Sequence, residues 1–151
     1  MGRMYTVQFS DVAVTAVQDL FQIESKIVPV ILHAIYLSQI SDVGDAVAEN
    51  LLIRIARVTD VVTDDLATVQ LDKGDATQNA NVAVNETTQL ITGEEIIHAE
   101  AWNIALPFVW LPPPEMRIVG EINNTLVVQL ETAPADSITM SGTLYFEEIG
   151  S

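Results

Sequence analysis

The chain has 151 residues, 49% of them hydrophobic, and no cysteine; this describes one well-filled domain and excludes intrinsic disorder, a disulfide framework, a thiolate metal site and a cysteine nucleophile. Six Lys plus Arg stand against 21 Asp plus Glu, a formal net charge of −15 that opposes direct binding to nucleic acid, whose phosphates need clustered basic side chains. No apolar run approaches the ~20 residues of a membrane helix, and the N-terminus lacks a long apolar signal core, so no membrane partner and cytoplasmic synthesis are expected.

Tyr5, Val7 and Phe9 alternate with Met4, Thr6 and Gln8 and predict a short opening strand before Ser10-Asp11. A second extended run follows near residues 12–23, where the helical spacing of Val14, Val17, Leu20 and Phe21 offers a competing helix. Residues 28–39 place Ile31, Ile35 and Leu37 on one side and Val30, Leu32 and Ala34 on the other. A strand apolar on both faces is expected to be covered twice, by the core and by another chain or loop.

After the turn-rich Ser41-Asp42-Val43-Gly44-Asp45, Leu51, Ile53 and Ile55 alternate with Leu52, Arg54 and Ala56, although Val43, Ala46, Val47, Leu51 and Ile55 again share helical spacing. From residue 59 to residue 92 Asp, Asn, Thr and Gln dominate, which predicts a loop-rich excursion with short strands near 68–71 and 82–84. Residues 95–104 read as a strand with His98, Glu100 and Trp102 on one face and Ile97, Ala99 and Ala101 on the other. Three successive prolines, Pro112 to Pro114, forbid a central strand there, and Leu126 to Leu130 form the next one.

The final strand, within residues 136–148, is the most regular: Ile138, Met140, Leu144 and Phe146 point inward with Gly142, and Thr139, Ser141, Thr143, Tyr145 and Glu147 point outward. Seven to nine strands divided by turn signals predict an all-β protein over residues 1–151, a single β-sandwich domain with a jelly roll as its leading form.

Candidate chemistry is sparse. His98 and Glu100, two apart on a strand, have the spacing of a metal pair in cupin-like enzymes, but His33 is the one other histidine and lies in an apolar strand, so no metal and no cofactor are expected. Asp60, Asp64, Asp65, Asp72 and Asp75, with Asp42 and Asp45, do not follow the EF-hand pattern and read as solvated acidic turns. No phosphate cradle, nucleophile elbow or zinc-helix motif is present, and no enzymatic activity is expected. Trp102, Phe108 and Trp110 instead supply aromatic area near the proline turn. With His98, Glu100, Ile31 and Ile35 they form the expected subunit or partner interface, and an aromatic platform for a sugar ring is the alternative use.

The segments EEIIHAEAWN, WLPPPEMRI and APADSITMSGTLYFEEIG, with FSDVAVTAVQDLFQI and ILHAIYLSQISDVGDA before them, resemble small structural proteins of tailed phages and prophages, the capsid decoration or cement proteins. The resemblance implies a homotrimer on the outer surface of the virion that contacts the major capsid protein and stabilises the shell. Under it, the residue 59–92 excursion is expected to reach outward to the shell or solvent. A tail-fibre or adhesion-type glycan-binding module is the alternative expectation.

Overall fold

The computed structural model describes residues 2–40 and 49–150. Its strands are β1 (Arg3–Val14), β2 (Gln18–Glu24), β3 (Val30–Gln39), β4 (Asn50–Val58), β5 (Val69–Gln70), β6 (Asn81–Glu86), β7 (Glu95–Asn103), β8 (Phe108–Trp110), β9 (Val119–Gly120), β10 (Thr125–Leu130) and β11 (Ile138–Glu148). A 3-10 turn, Pro114–Met116, begins on the last proline of the run. The first sheet has the order β5-β1-β11-β3-β8, with β9 also on β3, and the second has the order β6-β2-β10-β4-β7.

Without the short β5, β6 and β9, the two sheets are β1-β11-β3-β8 and β2-β10-β4-β7. The chain then changes sheet at every connection except β4 to β7, which are antiparallel neighbours. That eight-stranded order is the jelly roll, two interleaved Greek keys closed into a sandwich. The core lies between the sheets, where Phe9 and Phe21 meet across the interior with ring centroids 5.3 Å apart and Tyr5 stacks on Phe146 at 5.4 Å.

β11 alternates buried and half-buried residues from end to end, with Ile138, Met140, Gly142, Leu144 and Phe146 inward. Its outer row is half-buried rather than bare: Tyr145 meets Tyr36 edge-on at 6.1 Å, and Glu147 bonds His33 at 2.8 Å. Gly142 is required by packing, since a Cβ there would stand 2.7 Å from the Phe9 ring and 2.9 Å from a Leu37 methyl. Gly142→Ala is therefore expected to destabilise by about 1–3 kcal/mol through overpacking, read by urea unfolding. A neutral result would mean that Phe9 and Leu37 move aside freely.

Three elements depart from the sequence expectation. β1 does not stop at Ser10-Asp11; a bulge with Asp11 at φ 56° absorbs the irregularity, and pairing with β11 resumes at Val12. The extended run near residues 12–23 is the end of β1 and most of β2 with residues 15–17 between them, so the competing helix of Val14, Val17, Leu20 and Phe21 does not form, and the second helical alternative is overturned at Leu51 and Ile55, which lie in β4. Its first members, with Asp42 and Asp45, fall outside the described residues. β3 is not apolar on two faces. A bulge opposite Tyr145 and Phe146 shifts its alternation, so Val30, Leu32, Ile35 and Leu37 all enter the same core while Ile31, His33 and Tyr36 face out.

The excursion between β4 and β7 departs most. It crosses the outer face of the second sheet, pairs β6 with β2 and β5 with β1 at the far edges, and returns across the same face. This is why β2 and β10 are buried at every position. Buried polar groups of the sheets anchor it. Glu24 accepts the Val62 N–H, Thr125 donates to the Asp60 carbonyl, Asp19 accepts the Leu90 N–H, and Glu148 accepts from Asn79 and Ala80. One lateral side of the sandwich is thereby sealed, and the other, where β7 and β8 end the sheets, is open.

Candidate subunit interface

β7 is the outermost strand of the second sheet beyond β4, and among the described residues no backbone group pairs with its other edge. Its neighbour across the sandwich, β8, is only three residues long, because Pro112 to Pro114 cannot donate to a ladder. The inner face of β7 is consequently uncovered over His98 and Glu100 and closes only at Trp102. Between β7 and the proline turn runs an open groove of about 380 Å³, lined by Ile97, His98, Val109, Trp110, Leu111 and Met116 among others.

Large apolar side chains line this groove in an exposed state: Ile97 is 40% exposed, Val109 48%, Leu111 65% and Met116 69%, and Ile96 on the same strand is 50% exposed. Scattered exposed aliphatics are ordinary on a protein surface, whereas a contiguous set around an unpaired strand marks a contact site. A bulge where Ile55 and Ala56 face His98 and Ile96 leaves Ile97 without a partner on β4 and turns it into the groove beside His98.

The residues singled out in the sequence divide between core and surface. Trp102, Phe108, Trp110 and Ile35 belong to the interior of one chain; the Trp102 indole N–H donates to the Leu106 carbonyl at 2.7 Å. None of these four offers a ring or a methyl face to a partner on the scale expected. Both indoles are buried, which removes the sugar-stacking platform. His98, Glu100 and Ile31 are at least partly accessible, but Ile31 lies on β3 of the other sheet and is not part of the β7 edge.

His98 Nε2 lies 3.1 Å from Glu100 Oε2, and the imidazole is 6.4 Å from the Trp110 ring. Among the described residues no third His, Asp or Glu joins this pair in a metal-holding group. His33 has its own partner in Glu147. Asp72 and Asp75 form a tight turn in which Asp72 accepts the Gly74 N–H, and hydrogen bonding to Thr92 holds the Asp60 carboxyl below its ordinary range.

Sequence reasoning missed Ile96, Val109, Leu111 and Met116. One signal was available: adjacent Ile96 and Ile97 interrupt the alternation of the strand, and neighbouring side chains on a strand point to opposite faces, so both cannot enter one core.

No family model matches this chain, and no curated protein does. Two solved virus structures align over 97% of it: T=1 particles derived from infectious bursal virus, at 14% identity and a TM-score of 0.18, and the T13 IBDV viral particle, at 11% and 0.16. The chain spans about 40% of the length of those chains. Likeness at that level carries no argument, and the jelly-roll assignment rests on strand order alone.

Proposed function

We propose that this protein is a non-enzymatic virion component of a tailed phage or prophage, a decoration protein that binds the assembled head on its outer surface as a homotrimer and stabilises contacts between major capsid subunits. The observation that carries this reading is the asymmetry of the sandwich: one lateral side is sealed by the excursion, and the other presents exposed aliphatic side chains around an unpaired strand. That surface suits assembly more than catalysis. The strong negative charge keeps such a protein soluble before it assembles. The mechanism is linkage: a ligand that binds only the assembled shell stabilises that state by an amount that grows with the logarithm of its free concentration over its dissociation constant.

The test has two parts, light scattering of the purified protein and co-sedimentation with heads built from the major capsid protein of the same genome. A mass of three copies, or a multiple of three, with saturable pelleting and heads that survive higher temperature is expected. A monomer at tens of micromolar would remove the trimer, and absence of pelleting would remove the capsid reading.

A further inference from the structure

The hydrogen-bonding direction of β7 follows from its neighbour. The Leu52 N–H donates to Thr132 Oγ1 and the Leu52 carbonyl accepts the Glu131 N–H, so the backbone of Leu52 faces the β10 side and that of Leu51, Ile53 and Ile55 faces β7. In register, Leu51, Ile53 and Ile55 oppose Trp102, Glu100 and His98. Those three residues therefore spend their backbone groups on β4, and Ala99 and Ala101 turn theirs outward to the open edge. The Ile104 N–H, bonded to the Glu49 carbonyl, keeps the same parity beyond the strand.

An exposed edge is commonly blunted by lysine, proline, a bulge or a covering segment. Here the bulge at Ile97 and the charge of Glu95 blunt only the start of the strand, and residues 98–103 contain neither lysine nor proline. Of residues 98–103, Ala99, Ala101 and Asn103 have outward backbone groups, and the two alanines let another backbone approach closely.

We infer that a second copy of this chain pairs with the first along β7, antiparallel and centred on Ala99, joining the two second sheets edge to edge. Side-chain pairing selects this register. Centred on Ala99, His98 of each copy stands directly opposite Glu100 of the other, twice over, in the wide pairs where side chains are closest. Beyond these pairs the bulge at Ile97 ends the regular ladder. Centring on Glu100 would oppose two carboxylates, and centring on Ala101 would set Glu100 against Trp102. The narrow Ala99–Ala99 pair exchanges two backbone bonds, and the Glu100 and His98 groups, already 3.1 Å apart within one chain, become a four-membered alternating patch. The contact is isologous and so differs from the threefold contact proposed above; it stands without that reading.

Sedimentation equilibrium of the full chain at tens of micromolar tests it, with circular dichroism to verify the fold. The wild type is expected to show an even-numbered mass. Ala99→Pro deletes only an outward N–H, which an edge strand tolerates, and is expected to halve the mass with an unchanged spectrum. His98→Glu sets carboxylate against carboxylate and is also expected to halve it, whereas His98→Glu combined with Glu100→His restores the imidazole–carboxylate pairs and the wild-type mass. An odd-numbered wild-type mass, or full wild-type mass in Ala99→Pro, overturns the inference. Should Ala99→Pro unfold, unchanged mass in His98→Glu overturns it instead. Six copies support both readings, two remove only the trimer, and three remove only the β7 pairing.

Discussion

Alanine in place of Glu148 is expected to destabilise the protein by about 3–5 kcal/mol. The side chain is fully buried near the end of β11, and its carboxylate accepts the Asn79 N–H at 2.6 Å, the Ala80 N–H at 2.8 Å and the Asn79 side-chain amide at 3.1 Å. Removing it leaves the Asn79 and Ala80 N–H groups without their acceptor, and each orphaned buried donor costs about 1–3 kcal/mol. A domain of this size is stable by only ~5–15 kcal/mol, so the loss is a large share of the whole. Glu148→Gln keeps an acceptor oxygen for both backbone groups and is expected to cost about 1–2 kcal/mol. Urea unfolding measures both variants, and hydrogen exchange at Asn79 and Ala80 should accelerate in the alanine variant. A loss below about 1 kcal/mol for Glu148→Ala would mean that the segment around Ala80 is held by its apolar contacts alone.

The consequence extends beyond one loop. Residues 76–80 lie between β5 and β6, the two short strands that seal one side of the sandwich, and the Tyr5 hydroxyl donates to the Ala76 carbonyl in the same region. Loosening this segment exposes the far edges of β1 and β2 as well. The protein would then present open edges on both sides, where the native fold confines assembly to β7. Specificity of the proposed assembly thus depends on a buried carboxylate on the opposite side of the molecule.

What was legible in the sequence follows from where local pattern and final contact coincide. β11, β10 and β4 alternate without interruption over their inner rows, and their core residues can be read directly: Ile138, Met140, Leu144 and Phe146, or Leu51, Ile53 and Ile55. β3 misleads because a bulge moves its alternation by one, a device invisible in composition but decisive for which face is covered. The excursion could be located, and its short strands at 69–70 and 81–86 lie where propensity put them. Its path could not be read. The bonds that fold it back run from Glu24 to Val62, Asp19 to Leu90 and Glu148 to Ala80, partners 38 to 71 positions apart. The aromatic residues read as an interface from sequence, but Trp102 and Trp110 fill the open end of the core, and the exposed groups of the groove are the plainer Ile97, Val109 and Met116.

Asp19→Asn is expected to raise stability at pH 7 by roughly 2–3 kcal/mol and to change it little at pH 4. Asp19 is fully buried on β2 beneath the returning leg of the excursion, and burial pushes its pKa up to about 6 against the hydrogen bonds that favour its charge. Its Oδ2 accepts from the Leu90 N–H and the Gln22 amide, while Oδ1 has no partner. Gln129, its register partner on β10, likewise has an unsatisfied Oε1, and its amide N–H groups are directed at the Leu90 carbonyl and Glu94. Gln129 also hydrogen-bonds the Asp19 side chain and, with Leu90 and Gln22, favours its charge, but burial outweighs all three. The surrounding charges act in the same direction: Glu131 raises the Asp19 pKa, and Glu86, opposite Asp19 on β6, is itself raised by its hydrogen bond with Asp64. Arg54 is engaged by Glu131 and Glu94.

The sign follows from comparing the two states. An unfolded aspartate titrates near ~3.9, so between there and about 6 the folded chain holds a proton that the unfolded chain has released. The stabilisation is complete below the unfolded value and is lost as pH rises through the folded one. Wild-type stability should therefore increase on acidification from pH 7 towards pH 4, helped by relief of the self-repulsion of a −15 chain. Asparagine cannot ionise, and its oxygen keeps Leu90 and Gln22. The variant should gain roughly 5–10 °C in melting temperature at pH 7 and show a flatter pH profile. An Asp19→Asn protein that is destabilised equally at pH 4 and pH 7 would show that the charged carboxylate, rather than its proton, holds the excursion on the sheet.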